Sequence, residues 1–213
     1  MSIELHRKIH NIIDEIDKEL SVKDKVREEA IKVTRNIIRN SSECIKLILE
    51  GKYPEAKNII NNITKDVRYI NNLLKRDHPD LYYSGLIYNA LAEYVECNVL
   101  YDIVVNNNVR SHNDLDVPIQ PYLQGLGDVI GELRRLILTS IMKERIDEAI
   151  NFLKIMEYVY EALKKLHYPE ALMQGIRHRV DIARRLIDDT KAFLIDIKSR
   201  EELRRLILKI TSH

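Results

Sequence analysis

The sequence predicts an all-α protein read as one domain over residues 1–213. Three observations carry that reading. Apolar residues recur with a period near 3.6 along most of the chain. Turn-forming residues are scarce, with 6 glycines and 5 prolines in 213 residues, too few for the many short connections of a β-sandwich or an α/β fold. All five prolines fall where the periodicity opens a new helix, so pattern and punctuation agree. No low-complexity tract, linker or repeat divides the chain. A chain of this length buries enough surface to fold without a disulfide or metal staple.

The elements follow in order. Ile3, Ile9, Ile12, Ile13, Ile16 and Leu20, with charges between them, define a first amphipathic helix over 3–20. A second runs from Lys23 to Glu50 and stops at Gly51; Pro54 sits in the first turn of a third, which reaches about Lys75. Asp77-His78-Pro79-Asp80 interrupts it, because the residue before a proline avoids the helical region. A long apolar helix is expected from Leu81 to about Val105. The stretch from Asn106 to Asp114 is the most loop-like in the chain. Pro118 and Pro121 lead into a helix to about Lys143. Another runs from about Ile146 to Leu166, ending before Tyr168-Pro169. A last long helix covers Glu170 to Ile197, and Arg200 to Ile210 forms a short terminal one.

Lys and Arg number 34 against 33 Asp and Glu, for a net charge of +1. That balance excludes a basic nucleic-acid arm and an acidic disordered tail. A polyanion site, if present, must come from local segregation of charge. Cys44 and Cys97 lie inside helical patterns and read as small buried hydrophobes of a reducing compartment. No stretch approaches ~18 uninterrupted apolar residues, so no membrane span is expected. The first seven residues lack the apolar core of a signal peptide, and a cytoplasmic location is expected.

Charge is out of place in two segments. From Leu81 to Val109 there is no Lys or Arg, and the acids are Glu93, Glu96 and Asp102. Glu93 and Glu96 are three apart and neighbours on a helix, amid Leu86, Ile87, Ala90, Leu91, Val95, Val99 and Leu100. Buried carboxylates without cations repel and are costly to desolvate, so protons, distant arginines or a bound cation must compensate. Between Pro118 and Gly131 the only charge is Asp128, and Glu132 follows on the same face. Gly125, Gly127 and Gly131 crowd this segment. Glycine costs ~1 kcal/mol in a helix relative to alanine, which points to close helix packing or room for a substrate backbone.

Acid pairs at this spacing also occur as Asp14/Asp17 and Glu15/Glu19 among lysines, where they are ordinary solvated faces. The apolar setting is the distinguishing feature. It leaves two readings open, a functional carboxylate cluster or a buried structural ion-pair network. Four carboxylates on two adjacent helices suit a hard cation such as Mg2+, with Mn2+ as a substitute. Zinc is disfavoured because no Cys/His cluster has ligand spacing, and a di-iron bundle would need Glu-x-x-His, which is absent. Metal-assisted phosphodiester hydrolysis is the remaining chemistry. His6, His10, His78, His112, His167, His178 and His213 are scattered and read as surface or structural residues. Lys32, Arg35 and Arg39 share one helix face, and Arg134, Arg135, Arg177, Arg179, Arg184 and Arg185 supply further cations.

Taken together and in order, several segments resemble the translin and translin-associated protein X (TRAX) family, most closely its archaeal members. They are Arg35-Asn36-Ile37-Ile38-Arg39-Asn40-Ser41-Ser42, Ala92-Glu93-Tyr94-Val95-Glu96-Cys97, the run from Tyr122 to Arg135, Tyr168-Pro169 and the run from Arg179 to Arg185. Ala92 and Cys97 stand where the family has Gln and Ala, and neither change touches a carboxylate. The resemblance implies a seven-helix bundle of long antiparallel helices, assembled as a hollow homo-oligomer, commonly an octamer. It implies that single-stranded RNA or DNA binds on the inner surface. Translin-type subunits bind nucleic acid without the full acidic set, whereas TRAX-type subunits are Mg2+-dependent endoribonucleases. Glu93, Glu96, Asp128 and Glu132 all match the TRAX-type positions. The implied function is therefore endoribonuclease, with these four as metal-holding catalytic residues. A non-catalytic single-strand-binding protein is the alternative. Lys32, Arg35, Arg39 and Arg135 are the implied phosphate contacts, and no base-reading motif accompanies them.

Overall fold

A computed structural model describes residues 2–211; Met1, Ser212 and His213 lie outside the described residues. It is all-α, with no strand among the described residues. Seven helices follow in order: α1 (Ser2–Glu50), α2 (Tyr53–Leu74), α3 (Pro79–Tyr83), α4 (Tyr88–Tyr101), α5 (Ile119–Met142), α6 (Ile146–Lys164) and α7 (Ile176–Thr211). A π-helical turn over Asp102–Asn106 extends α4. No described helix is long and apolar enough to cross a membrane.

Four expected boundaries move, each for a local reason. The expected helices 3–20 and 23–50 are one, α1, because Ser21 and Val22 carry no breaker. At 1.5 Å per residue, α1 is about 73 Å long. Its first twenty residues stand clear of the bundle, leaving Ile9, Ile12, Ile16 and Leu20 between 45% and 58% exposed. The expected break before Arg200 is likewise absent, and α7 continues to Thr211. The start of α7 is later than Glu170. Residues 168–175 form a turn in which the Gly175 N–H donates to the Glu170 carboxylate (2.7 Å) and Gly175 takes φ +77°. Pro169 therefore lies in a loop, the one proline that does not open a helix. The expected helix 81–105 is divided by Gly85, whose φ of +89° breaks the spiral after α3. It ends in the π-turn, closed by Asn107 in the left-handed region.

The bundle grows from the α1/α2 hairpin, which Gly51 closes at φ +81°. Helix α4 lies parallel to α1, since Lys23 pairs with Asp80 just before α4 and the Cys97 thiol donates to Ser41 Oγ (3.8 Å) near its end. It runs antiparallel to α2, with the Thr64 and Tyr94 hydroxyls 3.2 Å apart. Both cysteines are buried and unpaired with one another. Helix α5 packs antiparallel on α4, and α7 runs beside α5. Helix α6 bridges them through Ser140–Glu148 and Lys191–Glu157. The core is aliphatic, with Leu91, Val95, Leu100, Ile130, Leu133 and Ile137 sealed at its centre.

Two of the three clustered glycines are steric requirements. A Cβ on Gly125 would drive into the Ala92 carbonyl oxygen and lie 2.8 Å from the Val95 Cβ. One on Gly127 would press on Arg179 at 3.2 Å, whereas Gly131 faces open space. Gly125→Ala should therefore cost about 1–3 kcal/mol through overpacking. Gly131→Ala should be neutral or stabilise by about 0.5–1 kcal/mol. Urea denaturation of the two variants checks this contrast.

Candidate functional site

Helix α4 is buried on nearly every side, so its two glutamates enter the interior with it. Glu93 and Glu96 sit one turn apart, and Glu96 is only 9% exposed. The close approach at Gly125 brings α5 against this face, and Asp128 and Glu132 follow one and two turns after that contact. The four carboxylates lie within one another's fields. Glu93 is pushed above the usual carboxylate range by burial, then by Asp128 and Glu132. Glu96 is pushed up to about 8 by burial, by Glu93 and by the two acids of α5, with Arg179 opposing. The sequence-predicted acids thus form one centre, while the third acid of the apolar segment leaves it. Asp102 is paired with Arg110 Nε at 2.6 Å, and Arg110 also donates to Asn98 Oδ1 at 2.7 Å. A structural ion pair accounts for Asp102 but not for Glu93 and Glu96. Among the described residues neither glutamate has a cation within 4 Å.

Arginines guard the α5 side. Arg179 Nε donates to Asp128 Oδ1 at 2.8 Å, and Arg135 Nη1 donates to both Glu132 oxygens at 3.1 and 2.9 Å. Arg135 was expected near phosphate, and it does reach the acidic centre. Arg179 was counted only among the further cations. Its signal was Gly127, whose missing side chain makes room for the Arg179 stem. Lys32, Arg35 and Arg39 lie exposed on α1. Lys32 leans on Glu29 (3.8 Å) and Arg39 on Asn36 (3.5 Å), and no hydrogen bond or ion pair joins any of the three to the acids. His6 and His10 meet each other, and His112 meets Tyr122.

A divalent cation is a fit in chemistry for this centre. The donors are all carboxylate oxygens, as Mg2+ or Mn2+ prefers, and among the described residues Glu93 and Glu96 have no ion-pair partner. The side chains are not drawn into a closed ligand set: among the described residues no three acidic, Cys or His side chains converge as metal ligands.

The family model described as "Translin family" matches residues 6–189. The chain belongs to the translin family. The uncharacterized protein MJ0175 of Methanocaldococcus jannaschii is 32% identical over 193 residues, spanning 88% of this chain and 85% of its own. Among solved structures, AfC3PO in complex with duplex RNA is 30% identical, with a TM-score of 0.81 over 88% of this chain and 97% of that one. Apo-NeC3PO, at 23% identity, shares the fold, with a TM-score of 0.77 over 86% and 95%. The translin-family fold expected from the sequence is thus the observed one.

The charge crowding has a pH signature in metal-free protein. The ordinary value for Glu96 is 4.5, and in the folded state it holds its proton to about 8. Below pH 4.5 both folded and unfolded chains carry that proton, so it costs nothing. Between 4.5 and 8 the unfolded chain releases it and the folded chain does not, so stability falls as pH rises and levels off above 8. Melting temperature in EDTA should decline from pH 5 to 8, and Glu96→Gln should flatten the decline. A slope unchanged in that variant would refute the assignment.

Proposed function

We propose that this translin-family chain is a divalent-cation-dependent endoribonuclease that binds and cleaves single-stranded RNA inside a homo-oligomeric shell, most simply an octamer. One observation carries the reading. Four carboxylates share one partly buried centre, and among the described residues Glu93 and Glu96 within it have no ion-pair partner within 4 Å. A centre built only for stability would pair them, as Asp102 is paired with Arg110.

Glu93, Glu96, Asp128 and Glu132 are the residues that would hold Mg2+ or Mn2+. When bound, the cation supplies activation of water and neutralisation of phosphoryl oxygen charge. The chain's own groups do the rest. Arg179 orients Asp128 and Arg135 orients Glu132, and each guanidinium offers further N–H groups to a phosphate. Open space beside Gly131 leaves room for a sugar–phosphate backbone next to the acids. Glu96 keeps a proton at neutral pH for as long as its charge is uncompensated. Attack by water leaves a 5′-phosphate and a 3′-hydroxyl, which distinguishes this route from one through the RNA 2′-hydroxyl.

The RNA part of the reading is supported by the relative solved with duplex RNA, and single-stranded DNA is a second ligand to test. Assembly is supported by the unpartnered apolar stripe of α1, where Ile9, Ile12 and Ile16 stand exposed, and by Leu203, Leu206 and Ile210 at the end of α7. A second reading, a non-catalytic RNA-binding shell, is favoured by one observation: Asp128 and Glu132 are already held by arginines.

End-labelled single-stranded RNA, incubated with purified protein with and without Mg2+, separates the two. Cleavage should require the cation, be abolished by EDTA and yield 5′-phosphate ends. Glu93→Gln with Asp128→Asn should lower the rate about 100-fold or more while RNA binding persists. Cleavage that survives EDTA overturns the metal mechanism, and binding without cleavage in Mg2+ establishes the second reading. Light scattering checks assembly. The parent should exceed the 25.0 kDa protomer several-fold, and Ile9→Glu with Ile12→Glu and Ile16→Glu should shrink the particle without lowering helix content.

A further inference from the structure

A cleft of about 500 Å3 opens at the end of the bundle where α3, the start of α5 and the 168–175 turn meet, apart from the acidic centre. Tyr82, Tyr83, Tyr88 and His112 form its walls, with Lys75 and Gln120 at the edges. Its volume falls within the range of small-ligand sites, ~300–1,000 Å3. Tyr83 stands at the rim, 59% exposed, with its ring edge-on to Tyr82 (centroids 5.0 Å apart, planes at 84°). Tyr82 is 1% exposed, and its hydroxyl has no hydrogen-bond partner. Behind the wall, Asn71 Nδ2 donates to the Asp116 backbone carbonyl and carboxylate, both at 2.8 Å, leaving Asn71 Oδ1 buried without a partner.

These features select the guest. Buried polar groups are normally satisfied, and the unpartnered Tyr82 hydroxyl belongs to a ring that lines the cleft. Aromatic walls favour a planar ring over a sugar or an aliphatic chain. A free phosphate is disfavoured, because Lys75 is already held by Asp116 at 2.9 Å. A flat ring with donors and acceptors on its edge is a nucleobase, and aromatic side chains are the usual platforms for unpaired bases.

The cleft is also connected to the acids. Gln120, Gln124, Asp128 and Glu132 follow at four-residue intervals on α5. Gln120 and Gln124 bond Gln174 while Asp128 bonds Arg179, so the first three face the same stretch of chain. From Gln120 to Asp128 is about 12 Å along the helix, a span of a few nucleotides. We infer that the Tyr82/Tyr83/Tyr88/His112 cleft is a nucleobase subsite, holding one unpaired base of the strand whose backbone passes the acidic centre. This rests on the RNA reading above.

The test uses a fluorescein-labelled 12-mer of mixed single-stranded RNA, titrated by anisotropy in EDTA so that cleavage plays no part. Tyr83→Ala should weaken binding about 5- to 100-fold, and Tyr83→Phe, which keeps the ring, should stay within twofold. Tyr82→Phe should weaken binding several-fold with the melting temperature unchanged or raised, since it removes only the orphaned hydroxyl. The same strand carrying 4-thiouridine should photo-crosslink to peptides containing Tyr82, Tyr83, Tyr88 or His112. If the parent binds and both Tyr83→Ala and Tyr82→Phe bind equally well, the cleft holds only water and the inference fails alone. Crosslinks confined to other segments overturn it in the same way. A parent that binds no RNA at low salt overturns this inference and the RNA reading together.

Discussion

The contact between α4 and α5 at Gly125 governs the rest of the molecule. With no side chain there, the α5 backbone meets the Ala92 carbonyl and the Val95 side chain directly. That approach sets the separation of the two helices that carry the acids. A wider crossing would admit water between Glu93, Glu96, Asp128 and Glu132 and screen their mutual repulsion. At this spacing the charges of α5 add to the effect of burial and raise the proton affinity of both glutamates. Gly127 repeats the device on the other side of α5 and admits the stem of Arg179. Two absent side chains thus bring a second helix and a guanidinium to the same group of carboxylates.

Such an arrangement works against stability. The interior is otherwise aliphatic, and replacing buried ionic groups by apolar ones is often neutral or favourable. The molecule meets that penalty in different ways. Asp102 receives the Arg110 guanidinium and the Asn106 amide in a pocket where its side chain is 3% exposed. Glu93 and Glu96 receive nothing within bonding distance. A fold that pairs Asp102 and leaves Glu93 and Glu96 without an ion-pair partner forgoes a tighter arrangement of the kind it makes elsewhere.

Much of this was legible in the sequence, and what escaped did so for physical reasons. The fold class followed from periodicity and scarce turn residues. Glu93, Glu96, Asp128 and Glu132 stood out because charge without counter-charge is conspicuous in apolar surroundings. Helix ends were less legible. The periodicity lapses at Ser21-Val22 and at Lys198-Ser199, yet neither pair supplies a glycine or proline, so α1 and α7 run through them. Pro169 mimicked a helix start, but the Gly175 turn delays α7 by a turn and a half. Arg35 and Arg39 matched a spacing on one helix, and spacing says nothing about which neighbour that face meets. Arg179 was hidden because its partner lies 51 residues away, and the tyrosine cleft because its walls come from three separate segments.

Were a cation to occupy the centre, the Arg179–Asp128 bond would make its arrival an exchange and not a simple addition. A cation that takes Asp128 as a ligand competes with a guanidinium already tethered there by α7. Its apparent affinity is then a difference between two favourable contacts. The displaced arginine would stay beside the acids, with N–H groups open to a phosphate oxygen. Anion and cation would then favour each other's arrival through one side chain, and α7 would register both events as a shift in the load on its first turn.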